Sequence, residues 1–454
     1  MKNNSNFMLL MILLLLLLLY KINCEIYNDT NNNNDEKIIL HELFHIKFNP
    51  VPSLLYNASF DTDVSLLNNS EVDTWLSVER IRKTLGNRNT RSRRLSELAP
   101  LYPGYGTHFA YIFVGTPPQR QSVIIDTGSH YTAFPCTGCP GCGEHTDAYW
   151  DWKKSSTASI VKCDKKPCEM SASYAEGSSW KAFKVSDKLW VGGAGENVIP
   201  GANRFSIDFI FGCQTSETGL FIDQLADGIM GMSLSDDTLS SQLYVKRVTN
   251  TKTFTLCLRD GGGIMTLGGL DERIHSEPGI LFARVFKDEG WFNVNLINIL
   301  FRDQKSGQER SLDKSQVKFH AGKETIVDSG TTDTYLPTAL ADQFKYVFKQ
   351  MSGFGYKDDG FVYMKESDAA YLPNLVFQVE SVDGSLIDLE MDSSSYLENI
   401  GMGKFAFRIF FDGENEAILG ANFMNNKNII FDTDRRRVGF AKSNCILSKR
   451  LINH

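Results

Sequence analysis

The triplet Asp-[Ser/Thr]-Gly occurs twice in this chain, as IIDTGS at 124–129 and IVDSGTT at 326–332, with 202 residues from the first Asp to the second. Such a triplet arises by chance about 0.2 times in a chain of this length. Each copy follows a short β-branched run, SVIID or TIVD, and each is answered downstream by an apolar-apolar-Gly segment, GIMG at 228–231 and AILG at 417–420. A lone Asp-Gly pair is an ordinary turn or a piece of a calcium loop. The matched pair, flanked alike, is instead the internal repeat of a protein with two similar lobes of about 170 residues each, in keeping with a soft prior of about 150 residues per domain.

Two carboxylates brought together at a lobe interface cannot both ionise easily, so they share a proton. The ionised partner takes a proton from a water held between them, while the protonated partner polarises a carbonyl under attack. Asp126 and Asp328 are therefore the candidate catalytic pair, and this chemistry calls for no metal and no cofactor. Gly128 and Gly330 permit the sharp turn that aims each carboxyl into the cleft. Ser and Thr after each Asp can donate hydrogen bonds that hold the carboxylates coplanar.

Composition supports a folded, strand-rich chain. The 454 residues are 42% hydrophobic and 22% charged, which is globular and not disordered. With 47 Lys and Arg against 54 Asp and Glu, a net charge of −7 and no long basic block, a nucleic-acid partner is excluded. From residue 100 onward the chain reads as many short strands; FSIDFIF (205–211), for example, alternates apolar and polar positions. The clearest helix is expected over 338–351, with Thr338 as its cap and Leu340, Phe344, Val347, Phe348 and Met351 on one face. A shorter helix is expected over 237–246, and the polar stretch 302–317 reads as an exposed loop. The expected fold class is mostly β with a few peripheral helices, its cleft between two pseudo-symmetric lobes. One chain holds both lobes and both aspartates, so a monomer is expected.

The N-terminal region sets the compartment. Lys2 precedes an unbroken apolar run from Phe7 to Leu19, shorter than the roughly 20 residues that span a bilayer, and a small residue follows at Cys24. Residues 1–24 read as a cleaved signal peptide, with an uncleaved signal anchor as the alternative. No later apolar run is long enough for a membrane helix. Residues 25–95 hold an Asn tract, glycosylation sequons at Asn28, Asn57 and Asn68, and a basic end with Arg91, Arg93 and Arg94, and read as a propeptide or N-terminal extension. The two lobes are then expected at 96–275 and 276–454. The eight cysteines beyond Cys24 are even in number, which in an oxidising compartment reads as up to four disulfides. A zinc site at the CxxCxxC run (136–142) with His145 is the alternative reading of that spacing.

At these residues the sequence resembles the pepsin-like aspartic proteases, and the resemblance covers about residues 100–446. FVGTPPQ (113–119) is similar to the strand ahead of the first Asp, SYAEGSS (173–179) to the flap hairpin, and WFNVNLINI (291–299) to the strand that opens the second half. ADGIMGMS (226–233) and EAILGANFM (416–424) resemble the two segments that thread the active-site loops. The resemblance implies Asp126 and Asp328 as catalytic, Ser129 and Thr331 as their supporting partners, and Tyr174 with Gly177 in a flap over protein or peptide substrates. Most members carry a Trp seven residues after the first catalytic Asp to support the flap Tyr; here that position is Ala133. That departure, the insert FPCTGCPGCGEH (134–145) and a Glu in the flap resemble the plasmepsin V-type branch, whose members act in the secretory pathway and cut an RxLxE export motif after Leu. This likeness implies a Cys257–Cys445 disulfide. Glu176, two residues past the flap Tyr, is the candidate partner for a substrate Arg, with Glu144 and Asp147 as further candidates.

The chain carries an RxLxE sequence of its own, Arg93-Arg94-Leu95-Ser96-Glu97, where strand texture begins. Leu95 and Ser96 flank a candidate processing site at which the protein would cut its own junction; a convertase acting at the paired arginines is the rival. Three functional readings compete. They are an export-motif endopeptidase of the endoplasmic reticulum, a Golgi-like compartment or the secreted fraction, a broader acid protease, and a non-catalytic binding protein on the same fold. Proteins of the last kind lose one of the two Asp-[Ser/Thr]-Gly elements, and here both are intact.

Overall fold

The structure is a computed structural model that describes residues 96–193, 203–286, 290–312, 325–413 and 417–446. The expected signal peptide, the extension and Leu95 lie outside the described residues.

The β-branched runs that precede each Asp-Gly turn form strands buried on both faces, which is why they read as continuous apolar stretches and not as alternation. Gln119–Asp126 pairs in parallel with Gly228–Gly231, which pairs antiparallel with Thr132–Pro135, which pairs in parallel with Ile207–Thr218. The second half repeats the scheme. Thr325–Val327 pairs in parallel with Ala417–Leu419, which bridges antiparallel to Thr334–Pro337, which pairs in parallel with Ile409–Gly413. The duplication read in the sequence is thus a duplication of topology, and the two halves make a bilobal, mostly β fold.

A third set of strands joins the halves. Its order is Leu281–Arg284, Arg437–Lys442, Lys427–Asp432, Phe254–Arg259, Gly262–Leu267 and Glu97–Pro103, so the late strands pair with strands from the middle of the chain, and the middle in turn pairs with Glu97–Pro103. Phe254 stacks on Phe431 at 4.8 Å between centroids and Phe292 meets Phe431 edge-on at 4.8 Å, burying aromatic surface between the halves.

Local expectations are met with two corrections. Ile207, Phe209 and Phe211 are buried and Asp208 and Ile210 exposed, as the alternation demands. The short helix is Leu239–Val245. The longer helix is Ala341–Ser352, burying Phe344, Val347 and Phe348 and ending at Gly353 with φ +78°. Thr338 does not cap it. Pro337 closes the preceding strand, a 3₁₀ turn over Thr338–Leu340 leads into the helix, and the Thr338 hydroxyl donates to Phe411 O at 3.2 Å. Within the expected loop 302–317, Glu309–Ser311 is a strand paired with Leu296–Arg302. The pairing is set by a turn in which the Asp303 carboxylate accepts from the Lys305 and Ser306 amides and by an ion pair between Arg302 and Glu309. All three strand residues are exposed, which is why no apolar period marks them.

Candidate active site

The two Asp-[Ser/Thr]-Gly turns meet between the halves, and every residue of the triplet has a separate task. Oδ1 of Asp126 accepts from the Gly128 amide at 2.8 Å, and Oδ1 of Asp328 from the Gly330 amide at 2.9 Å. The glycines also keep the carboxyls together. A Cβ on Gly128 would stand 2.6 Å from Oδ2 of Asp328, and one on Gly330 would stand 2.2 Å from Oδ1 of Asp126. Each carboxyl therefore sits in the space that the opposite glycine leaves open.

The hydroxyls directly after the aspartates do not hold the carboxylates, contrary to one expectation. Thr127 Oγ1 donates to Val327 O at 2.9 Å and accepts from the Ser329 amide at 2.9 Å; Ser329 Oγ donates to Ile125 O at 2.6 Å and accepts from the Thr127 amide at 3.2 Å. These four bonds cross between the halves and fix one turn against the other. The carboxylate is held instead by the hydroxyl two residues further on: Thr331 Oγ1 donates to Oδ2 of Asp328 at 2.6 Å. Its counterpart Ser129 is half-buried with a buried Oγ and favours the ionised form of both Asp126 and Tyr174, yet that Oγ closes no well-aligned bond. Trp291, from the second half, donates its indole N–H to Gly128 O at 2.8 Å.

The downstream glycines are explained by threading. Gly231 lies opposite Asp126, and a Cβ there would come within 2.5 Å of the backbone at His130 and Tyr131. A Cβ on Gly420 would stand 2.1 Å from Asp333 O. GIMG and AILG must close on Gly because each strand passes through the loop that follows its aspartate.

Burial, first, and then the Asp328 carboxylate push the Asp126 carboxyl well above the usual carboxylate range. At 4% exposure Asp126 has little water with which to solvate a charge. The pair is thus arranged to retain one proton between them at pH values where an ordinary carboxyl has lost it.

The expected flap is a hairpin. Glu169–Ser173 pairs with Ser179–Gly192, and the turn closes with Tyr174 N–H to Ser178 O at 2.9 Å and Gly177 N–H to Tyr174 O at 3.0 Å. Gly177 adopts φ +94° in that turn. Burial and then the Asp126 charge raise the Tyr174 phenol above its ordinary value. Ala133 supplies no aromatic to support it. The Trp180 indole N–H donates to Tyr174 Oη at 3.2 Å instead, and Phe221 packs on the ring at 5.1 Å.

The three candidate substrate acids separate. Glu176 is exposed at the hairpin tip, and its charge reaches Tyr335 of the second half. That phenol is pushed up to about 12 by burial, then by Asp333 and Asp412, with a smaller part from Glu176. Glu144 is exposed on the cysteine loop. Asp147 departs from expectation: its side chain is 9% exposed and accepts from Arg120 at 2.8 and 2.9 Å, so it is already engaged and unavailable to a substrate guanidinium.

All eight described cysteines are in disulfides, Cys136–Cys213, Cys139–Cys142, Cys163–Cys168 and Cys257–Cys445. The CxxCxxC run is thus committed to sulfur–sulfur bonds, and His145 pairs with buried Glu217 at 3.4 Å. Sequence reasoning missed the crossed hydroxyls, Trp291 and Trp180. Only the first had a signal, a hydroxyl residue at the same place in both triplets.

A family model described as eukaryotic aspartyl protease matches residues 107–443. The chain is 28% identical over 380 residues to Aspartic protease 5 of Toxoplasma gondii, covering 75% of this chain and 37% of that protein. It is 31% identical over 182 residues to Plasmepsin V of Plasmodium falciparum, covering 37% of this chain and 30% of that protein. Aspartic proteinase 36 of Arabidopsis thaliana is 26% identical over 378 residues, 75% of this chain and 74% of the plant protein. The chain thus matches only about a third of the length of the two parasite relatives.

Proposed function

The chain belongs to the eukaryotic aspartyl protease family, and we propose that it is an endopeptidase of the secretory pathway that cuts protein substrates at RxLxE-type motifs after Leu. The observation that carries the catalytic part is the reciprocal packing of Asp126 against Gly330 and Asp328 against Gly128, with one carboxyl held far above its usual range. In this reading the ionised member of the pair takes a proton from water and the protonated member donates to the substrate carbonyl. Tyr174 closes over the bond being cut. Thr331 orients Asp328, and Ser129 assists Asp126.

Specificity rests on Glu176 in this proposal. It is exposed at the flap tip, and a carboxylate there can take a guanidinium through a bidentate, charge-assisted pair. Glu144 is the remaining second acid. The test uses a peptide of residues 88–102 and copies with Arg93 or Leu95 replaced by Ala, read by mass spectrometry. Cleavage after Leu95 is expected to fall about 10- to 100-fold when Arg93 is removed. Glu176→Gln should lower cleavage of the Arg peptide to a similar degree and leave the Ala peptide unchanged. Cleavage indifferent to Arg93 leaves an aspartic protease of broad specificity and removes the export-motif reading.

The protein's own junction adds a constraint. Glu97 is 5% exposed and pairs with Leu267 at the start of a strand in the joining sheet. A protease cleft takes an extended segment on both sides of the bond. Self-processing at Leu95–Ser96 therefore belongs before Glu97–Pro103 enters the sheet. Sequencing the mature N-terminus decides: Ser96 first supports self-processing, Leu95 first a convertase. Four disulfides suit an oxidising compartment. Among the described residues no helix is long and apolar enough to cross a membrane. We take the active unit to be a monomer, because both aspartates come from one chain.

A further inference from the structure

We propose that Trp180 is the positioning residue that fixes the flap tyrosine over the dyad, in place of an aromatic at position 133. The inference rests on the protease reading above for its kinetic consequence, and on geometry alone for the contact itself. Position 133 contributes only a methyl group. Ala133 is fully buried, its Cβ would touch a Cβ on Gly212 at 3.1 Å, and its carbonyl crowds Gly228. The space beside it is filled by Trp180, Ala182, Phe221 and Ile229, with Tyr174 packed on that cluster.

Trp180 reaches this place because it stands one residue into the returning flap strand, opposite Ala172. It is 1% exposed, and a buried indole N–H needs an acceptor. Tyr174 Oη supplies it at 3.2 Å. An indole N–H only donates, so in this pair the phenol oxygen must accept. The Tyr174 hydrogen is then directed away from Trp180. One bond thus sets both the position of the ring and the direction of its hydrogen. The turn of the hairpin is fastened separately, by the Leu220 amide to Ser178 Oγ at 2.9 Å. Loss of the Trp180 bond should therefore free the phenol without releasing the flap.

The test has two readouts. In kinetics on the 88–102 peptide, Trp180→Phe is expected to lower kcat about three- to tenfold, the effect of one lost hydrogen bond, with KM within about twofold. Tyr174→Phe should cost at least as much, and the double variant no more than Tyr174→Phe alone, because Trp180 acts through the phenol. Penalties that multiply in the double variant would overturn the proposal. The second readout needs no activity: with ¹⁵N-labelled tryptophan, one indole N–H resonance of the Asp126→Asn protein should shift on adding Tyr174→Phe. Unmoved resonances would refute the contact whatever the enzyme does. An active Asp126→Asn protein would instead sink the protease reading and leave the Trp180 contact to the resonance test.

Discussion

Asp126→Asn is expected to lower peptide cleavage by about 10⁴-fold while making the folded protein more stable at neutral pH. The activity loss follows from the role of the pair: an amide neither takes a proton from water nor shares one with Asp328. The gain in stability follows from linkage. Burial and Asp328 raise the Asp126 carboxyl in the folded state, so between its ordinary value and its folded value the native protein holds more protons than the unfolded chain. Stability from this site is then full below the ordinary carboxylate range and is lost as pH rises through the folded value. The variant's amide carries no charge to desolvate and escapes that loss. Thermal melts of the two proteins should converge at about pH 3 to 4 and separate toward pH 7, with the variant higher. The wild-type pH profile of kcat/KM should keep its alkaline limb well above the usual carboxylate range, because the shared proton leaves late. A variant that melts lower than the wild type at pH 7 would show that Asp126 is not held in the strained, proton-sharing state described above.

The dyad was legible because its physics is local. A buried strand ending in a carboxyl, a hydroxyl and a glycine is short enough to see as a string, and its repetition shows that two such turns must face each other. The threading glycines could be seen for the same reason. What the string did not show was which atom each hydroxyl reaches. Thr127 and Ser329 bond across the halves, to carbonyls some 200 residues away in the chain, and no local pattern encodes that distance. Trp180 was hidden likewise. The absent aromatic at Ala133 could be read, but its replacement depends on how the hairpin folds back, which brings residue 180 beside residue 133 through a shared cluster. Asp147 looked like a cleft acid because it follows the cysteine insert; Arg120, 27 residues earlier, engages it first. The short strand Glu309–Ser311 was missed because its residues are exposed and carry no apolar signature.

The second large effect is on stability and lies far from the dyad. Replacing Cys257 and Cys445 together by Ala should lower the melting temperature by about 10 °C, whereas replacing Cys139 and Cys142 together should cost much less. In the chain-entropy account, the penalty for an open loop grows with the length a crosslink closes. Cys257–Cys445 spans 188 residues and Cys139–Cys142 spans 3. These separations correspond to about 5 and about 2 kcal/mol respectively, and about 2 °C per kcal/mol for a chain of this size turns the larger into the stated shift. The longer crosslink also ties Phe254–Arg259 to the end of the chain, beside strands from both halves that meet in the joining sheet. Both of its cysteines are fully buried, so removal leaves a cavity as well as an open loop. Catalysis at low temperature should nevertheless survive, with kcat/KM within about twofold at about 20 °C, because the crossed Thr127 and Ser329 bonds fix the two aspartates locally. Equal melting losses for the two pairs would argue that loop length does not govern this protein's unfolded state. A loss of catalysis in the cold would show that the dyad depends on the joining sheet and not on its own crossed hydrogen bonds.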